Sequence, residues 1–470
     1  MKQTIKCLLC CLCAAMFTCV SAFAQVTTSA LGGRVVDAKG EPVVGAAVVA
    51  THTPSGTIYG VVTNGEGRYT VNGMRTGGPY TVAISCLGYQ SLTYTDVTLQ
   101  LAETFALNAT LEEDSEMLSE AMVIAAPASK FSAEKTGAAT NISNSQITSL
   151  PTVSRSITDV TRLSPYGGNG MSFAGSDGRT ANFTVDGASF NNNFGLSSNL
   201  PGGGNPISLD AIEELQVVIS PYDVRQTNFI GGGVNAITKS GTNTFKGSAY
   251  VYHRNENMRG NQVAGVEIAG ARDRDRSTTY GFTLGGPIVK NKLFFFVNAE
   301  YSKVPSVAVR WRARDAESGQ EASNNDYLSY TTVEDMRKVS THVKDKYGYD
   351  TGSYTDFPAD ESNLKILARL DWNITDKHHL ALRYNYTNNT AWNGPNATSM
   401  DGGTRSAYGR ASLYSMVFAN SMYSMNNLVH SVSLDLNSRL TDNLSNQFLA
   451  TFSKLDDVRG TNSQEFPFID

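Results

Sequence analysis

The sequence predicts a mainly β protein in three parts: a small antiparallel sandwich, an α+β unit, and a set of long strands of the kind that builds a transmembrane β-barrel. Three observations predict it. Residues 31–111 are rich in valine, threonine and glycine and are broken by turn clusters at short intervals. From 131 to 243 the composition shifts to serine, asparagine and glycine. Beyond residue 244, runs of about ten residues alternate apolar and polar side chains, the length a tilted strand needs to cross a bilayer.

The chain opens with Lys2 and Lys6, an apolar stretch over 7–20 and the small-residue site Ala22-Phe23-Ala24 before Gln25. This reads as a secretory signal segment, 1–24, too short for a spanning helix. Five of the six cysteines fall inside it, so only Cys86 remains and no internal disulfide is expected. The formal charge of −5 becomes two units more negative once Lys2 and Lys6 leave, which gives no basic field for nucleic acid. No later stretch is apolar enough for a membrane helix, so a membrane role must use strands.

Within 31–111 the turns are Ala38-Lys39-Gly40, Pro54-Ser55-Gly56 and Asn64-Gly65-Glu66-Gly67, a spacing that predicts a small sandwich. The run Gly33-Arg34-Val35-Val36-Asp37, then Gly40-Glu41-Pro42-Val43-Val44-Gly45-Ala46, residues 63–69 and Gly88-Tyr89 resemble the carboxypeptidase regulatory-like domain. The resemblance implies a transthyretin-like sandwich without a protease site, serving as a spacer or as a docking or carbohydrate-binding module.

Residues 112–130 form an acidic linker, with Glu112, Glu113, Asp114 and Glu116 leading into Leu118-Ser119-Glu120-Ala121-Met122-Val123-Ile124. A short apolar strand among polar residues suits addition to a partner's sheet edge. It resembles the TonB box of energy-coupled receptors, departing at Ala121-Met122, where the family usually has two β-branched residues. The resemblance implies that Met122, Val123 and Ile124 contact a TonB-type protein.

In 131–243, Ser156-Ile157-Thr158-Asp159-Val160 can open a helix, and Asn182-Phe183-Thr184-Val185-Asp186-Gly187 reads as a strand ending in a tight turn. A polar loop covers 191–205, Ser208 is an N-cap for a short helix over 208–213, and 212–219 suits a buried strand. Gly231, Gly232 and Gly233 remove β-carbons where the backbone bends or passes a neighbour, and they are expected to mark the seam with the strands beyond. This order of parts, with Val185-Asp186-Gly187 and the seam as its signature, looks like the plug domain of TonB-dependent outer-membrane receptors. Ser220-Pro221-Tyr222-Asp223-Val224-Arg225 departs from the usual wording and resembles the Oar-like branch.

For 244–470 the barrel can be argued from the residues themselves. Leu364, Ile366, Ala368, Leu370 and Trp372 alternate with Lys365, Arg369 and Asp371. Leu380, Leu382, Tyr384 and Tyr386 oppose Arg383, Asn385 and Thr387, and Leu428, Val432, Leu434 and Leu436 oppose Ser431, Ser433 and Asp435. Earlier, Phe245, Ala249 and Val251 oppose Lys246 and Ser248, and Tyr280, Phe282 and Leu284 oppose Thr279 and Thr283. Connections over 285–292, 373–377 and 440–443 are short, while those over 255–277, 302–363 and 390–425 are long and polar. Outer-membrane barrels show this alternation, with short ends in the periplasm and long ends outside. About seven strands are expected, whereas plugged transporters of this class close with about 22. The reading is therefore of an incomplete barrel in a C-terminally truncated chain.

Enzyme signals are poor. His253 and Glu256 have a His-x-x-Glu spacing but no marked third ligand. His378 and His379 fall at a predicted turn and are expected to be solvated. Gly202, Gly203 and Gly204 lack the strand and helix of a nucleotide cradle. No catalytic residue, metal or cofactor is expected. The function expected is energy-coupled uptake or export of a large ligand, a peptide, protein or glycan, through a plugged barrel in the outer-membrane lipid of a Gram-negative cell. In that reading plug and sandwich lie on the periplasmic side. The alternative is a cell-surface carbohydrate- or protein-binding adhesion protein.

Overall fold

The computed structural model describes residues 26–113, 122–125, 138–152, 154–191, 200, 205–220, 226, 228–267, 276–305, 309–394 and 410–466. The signal segment, most of the acidic linker, residues 221–225, most of the 191–205 loop and Gly202-Gly203-Gly204 lie outside the described residues.

The N-terminal unit contains β1 (Ser29–Asp37), β2 (Ala47–His52), β3 (Thr57–Val62), β4 (Arg68–Met74), β5 (Gly77–Ser85), β6 (Leu92–Leu99), β7 (Thr104–Ala106) and β8 (Ala109–Leu111). One sheet runs β4-β1-β7, with β8 also on β1; the other runs β3-β2-β5-β6, and β9 (Met122–Ala125) adds to it in parallel beside β6. Period-two alternation places Val48 and Ala50, Tyr80, Val82 and Ile84, and Leu31 and Val35 in one shared core. Two buried tyrosines keep their hydroxyls satisfied, Tyr69 Oη donating to Leu107 O at 2.8 Å and Tyr80 Oη to Arg75 O at 2.7 Å.

The central unit combines β10 (Ala138–Ser143), α1 (Asn144–Ser149), α2 (Ile157–Thr161), β11 (Asn182–Val185), β12 (Ala188–Ser189), β13 (Ile212–Ser220) and β14 (Gly233–Thr238) in a mixed sheet of order β10-β13-β14-β11-β12. Ser156 caps α2, its hydroxyl accepting from Thr158 N–H. The helix expected over 208–213 is a single 3-10 turn, Leu209–Ala211, capped by Ser208; Ile212 and Glu213 already belong to β13, whose β-branched, buried sequence wins. β11 ends at Asp186 and Gly187, both with positive φ (49° and 81°), and the pair reverses the chain into β12.

The glycine run does not mark the junction. Gly231, Gly232 and Gly233 lie inside the central unit, where a β-carbon would fall 1.8 Å from Ser176 Oγ, 2.7 Å from the Phe173 ring and 2.8 Å from the Phe229 ring respectively. Close packing, not a bend, excludes side chains there. β14 then pairs with both β11 and β13, and the chain leaves the unit only after Thr238.

The C-terminal part of the chain comprises β15 (Lys246–Arg254), the small hairpin β16 (Gln262–Val263) and β17 (Val266–Glu267), β18 (Ser277–Val289), β19 (Leu293–Pro305), β20 (Arg312–Arg314), β21 (Leu328–Thr332), helix α3 (Val333–Tyr347), β22 (Asp360–Thr375), β23 (His378–Asn393), β24 (Tyr423–Thr441) and β25 (Leu444–Thr461). Seven of these strands form one antiparallel sheet, β15-β18-β19-β22-β23-β24-β25. They outrun their expected bounds: β18 continues through Gly285 to Val289, and the turns shrink to residues 290–292, 376–377 and 442–443. The connection over 302–363 is not all loop. It holds α3, fixed by a capping box between Thr332 and Asp335 and ended by Gly348 at φ 69°.

Along β22, Ile366, Leu370 and Trp372 face outward while Lys365, Arg369 and Asp371 are buried. Tyr280, Phe282 and Leu284 are likewise exposed, so the apolar stripe is the outer face and the charged stripe meets the central unit. Tyr250 on β15 bonds Ser208, and Leu449 on β25 lies against Gly187, so the sheet curves around the central unit. Among the described residues no helix is long and apolar enough to cross a membrane, which says nothing of strands.

Replacing Gly232 by valine is expected to destabilise the central unit by about 1–3 kcal/mol through overpacking against Phe173, read as a lower urea midpoint; an unchanged midpoint would mean Phe173 yields freely.

Candidate functional site

The charged face of the sheet carries an arrangement that the central unit completes. The register of β22 and β23 sets Arg369 directly opposite Arg383, and like charges facing each other across strands repel. The anion between them comes from the central unit. Asp186 Oδ1 lies 3.5 Å from Arg383 Nε and 3.9 Å from an Arg369 terminal nitrogen. The same carboxylate accepts from Thr238 N–H at 3.1 Å and from Thr238 Oγ1 at 2.7 Å, which fixes it to β14. Two residues in the left-handed region place it there, and Gly187 has a second reason to lack a side chain, since a β-carbon would meet Leu449 Cδ2 on β25 at 2.7 Å.

The rest of the network balances these charges. Arg369 makes a bidentate pair with Asp371 at 2.8 and 2.9 Å and donates to Thr238 O at 2.5 Å. Arg383 lies 3.6 Å from Asp435, and Ser433 Oγ donates to Asp186 O at 3.0 Å. The N-terminal unit supplies the remaining members: Arg75 sits 3.4 Å from Asp371 and donates to Ser240 Oγ at 3.0 Å, and Thr27 Oγ1 donates to Asp435 at 2.6 Å. Three arginines thus meet three aspartates drawn from all three units. Asp186, Arg369, Asp371, Arg383 and Asp435 are each at most 5% exposed, so removing one partner strands a buried charge. Satisfaction is incomplete at one atom: Arg383 Nε has no hydrogen bond among the described residues.

A second cluster holds the central unit nearer the long-connection ends of the strands. Glu300 accepts from Lys365 Nζ and Ser208 Oγ at 2.8 Å each and from Tyr250 Oη at 3.0 Å. Arg155 pairs with Asp210, and its guanidinium lies 4.0 Å from the Tyr252 ring centre. Thr387 Oγ1 donates to Pro206 O at 2.6 Å. Beside this cluster is a cavity of about 670 Å³ lined in part by Arg155, Tyr252, His253, Glu300 and Lys365.

The N-terminal unit seats on the opposite, short-turn end. Asn373 Nδ2 donates to Thr57 Oγ1 at 2.9 Å, Asn243 N–H donates to Pro54 O at 2.8 Å, and the Tyr59 and His379 rings are 4.9 Å apart. His378 and His379 are half-buried and not simply solvated: they open β23, His378 bonding Ser438 and His379 bonding Asn373. A cavity of about 480 Å³ remains between the units, lined among others by His52, Arg75, Glu213, Lys239 and Asp371. Burial holds His52 neutral, with the Arg75 charge as a second cause, down to about pH 3. Burial also raises Glu213 and lowers Lys239, each opposed by the charge of the other.

Of the residues singled out in the sequence, Asp186 is at the centre of the network, with Val185 and Gly187 shaping its strand and turn. Met122, Val123 and Ile124 lie on β9, away from it. His253 bonds Thr278 and Glu256 pairs with Arg276, so the two are committed to different neighbours. Arg75, Thr27, Glu300 and Arg155 carry no sequence signal beyond being polar.

Residues 30–112 match the carboxypeptidase regulatory-like domain, and residues 237–310 match an outer membrane beta barrel domain. The TonB-dependent transporter Oar of Myxococcus xanthus is 25% identical over 389 residues, an alignment covering 78% of this chain and 34% of that protein. This chain thus spans about a third of the length of that curated relative. Among solved structures, the siderophore receptor PirA of Pseudomonas aeruginosa aligns at 14% identity and TM-score 0.43, over 69% of this chain and 42% of its own. The outer membrane transporter YddB of Escherichia coli aligns at 12% identity and TM-score 0.45, over 69% and 40%. The sequence matches together support an Oar-like TonB-dependent receptor.

Two outcomes are expected. Asp186→Ala should weaken the seating of the central unit by about 3–5 kcal/mol, and a double-mutant cycle with Arg383→Ala should recover part of that loss, read from urea unfolding. His52 has an ordinary pKa of 6.5 when unfolded and about 3 when folded, so the unfolded chain binds the extra proton between those values. Stability contributed by this residue should therefore fall as pH drops from 6.5 toward 3, and His52→Gln should flatten that slope of the urea midpoint.

Proposed function

We propose that this chain supplies the plug and its surrounding wall in an Oar-like, TonB-dependent outer-membrane transporter that moves a large ligand across the outer membrane. The seven-stranded sheet is the barrel wall, with Tyr280, Phe282, Ile366 and Leu370 toward lipid, and the central unit is the plug. The short turns face the periplasm, where the carboxypeptidase regulatory-like sandwich rests against the mouth; the long connections face outward. The observation that carries this reading is Asp186, a plug carboxylate standing between two wall arginines that would otherwise repel.

In this reading Met122, Val123 and Ile124 are the segment gripped by a TonB-type protein. The outer membrane has no energy source of its own, so work must arrive as a pull from the periplasm. Force applied before Ala138 reaches β10 first. That strand is an edge of the plug sheet and pairs with β13 alone among the described strands. Peeling it away loads β13 and, through β14, the Thr238–Asp186 contacts that hold the two arginines. Once Asp186 withdraws, Arg369 and Arg383 lose the carboxylate they share, which favours its return to the same place when the pull ends. The cavity beside Arg155 and Glu300 is the place where plug and wall offer polar groups to a ligand on the outer side.

Two experiments test this in the full-length receptor. Arg369→Ala with Arg383→Ala should loosen the plug and raise cell sensitivity to vancomycin, a molecule too large for general porins; unchanged sensitivity would overturn the sealing role. Deleting residues 118–124 should abolish capture by the isolated periplasmic domain of a TonB-type protein, and undiminished capture would overturn the coupling assignment.

A further inference from the structure

The N-terminal unit does more than sit at the mouth. β9 is the outermost strand of its five-stranded sheet, ordered β3-β2-β5-β6-β9. The pairing is parallel and in register, Leu92 with Met122, Thr93 with Val123, Tyr94 with Ile124 and Thr95 with Ala125. It stops where β6 kinks at Asp96, whose φ is 59°. One edge of β9 is thus taken by β6, while the other has no ladder partner among the described residues.

We propose that the sandwich is a presentation platform: it holds the coupling strand extended, with one edge open, so that a periplasmic partner binds by adding its own strand to β9 as the sixth of that sheet. This rests on the reading of Met122–Ile124 as the gripped segment. Three features carry it. A strand already extended spares the partner the entropy of ordering a loose peptide. Met122–Ala125 contains no proline, lysine or other residue that protects an edge from pairing. The direction is also right. β3, at the opposite edge of the same sheet, is the strand that touches the wall through Thr57 and Tyr59. β9 lies four strand spacings away, roughly 19 Å, on the side remote from that contact.

A platform differs from simple sequestration, in which β6 would hide the segment and the partner would have to displace it. Thr95, half-buried in β6, stands opposite Ala125, just past the gripped residues, and gives the test its handle. In the full-length receptor in detergent, with Cys86→Ser to remove the free thiol, Thr95→Cys is combined with Ala125→Cys; Leu92→Cys with Ala125→Cys serves as the out-of-register control. The probe is the isolated periplasmic domain of a TonB-type protein. The in-register pair should form a disulfide both with and without the probe, the control pair should not, and the oxidised receptor should bind the probe within about threefold of the reduced one. Failure of the in-register pair to oxidise, loss of its oxidation when the probe is bound, or binding at least about tenfold weaker after oxidation would each overturn the platform. Deletion of residues 122–124 separates the two readings. If capture persists without them, the coupling assignment falls and the platform with it; if capture is lost but the in-register pair never oxidises, the assignment stands and the platform alone falls.

Discussion

The fold turns on two arginines placed face to face. Strand register puts Arg369 opposite Arg383 on the inner side of the sheet, and register in a two-faced strand cannot slip by one residue without turning every apolar side chain inward. The sheet answers part of the repulsion between the two arginines with its own Asp371 and Asp435, and the carboxylate that approaches both comes from elsewhere. Asp186 is that anion, and its position depends on a two-residue reversal in which both residues adopt positive φ. The tight turn after β11, the parallel pairing of β11 with β14 and the Thr238 contacts all serve to deliver one carboxylate to one place.

The other charges extend the same logic outward. Asp371 neutralises Arg369 on its own strand and then recruits Arg75 from the N-terminal unit, while Asp435 neutralises Arg383 and recruits Thr27. Each unit contributes polar or charged groups whose partners lie in the others, so the three parts are seated by mutual need. The apolar contribution of the seven-stranded sheet to the core of the central unit comes from residues such as Phe296, Leu367 and Val429.

Much of this is legible in the residues alone. Alternation names the charged stripe, Lys365, Arg369, Asp371, Arg383 and Asp435, because a period of two follows from strand geometry alone. It says which face each residue shares, but not which partner it meets, since pairing across more than a hundred residues depends on tertiary placement. Asp186 reads in sequence as part of a turn motif and not as a charge. Arg75 lies just past the end of an ordinary strand and gives no sign. Helix α3 hides inside a polar stretch although Thr332, Asp335 and Gly348 spell its two ends; the surrounding serines and asparagines argue for loop. The triple glycine is conspicuous but misleading, because a missing side chain looks the same in sequence whether a bend or a neighbouring phenyl ring requires it.

The chemistry of this interface also suits separation. An apolar interface of the same extent would lose its hydrophobic stabilisation on opening and gain nothing in return. A buried ionic interface has already lost much of its net benefit to desolvation. When it opens, water restores that hydration to each arginine and aspartate, so the free-energy difference between seated and withdrawn states is smaller than the number of contacts implies. The unmatched Arg383 Nε lowers it further. A central unit held by balanced charges is thus specific in where it seats, because the position of each carboxylate is set by the strand registers around it.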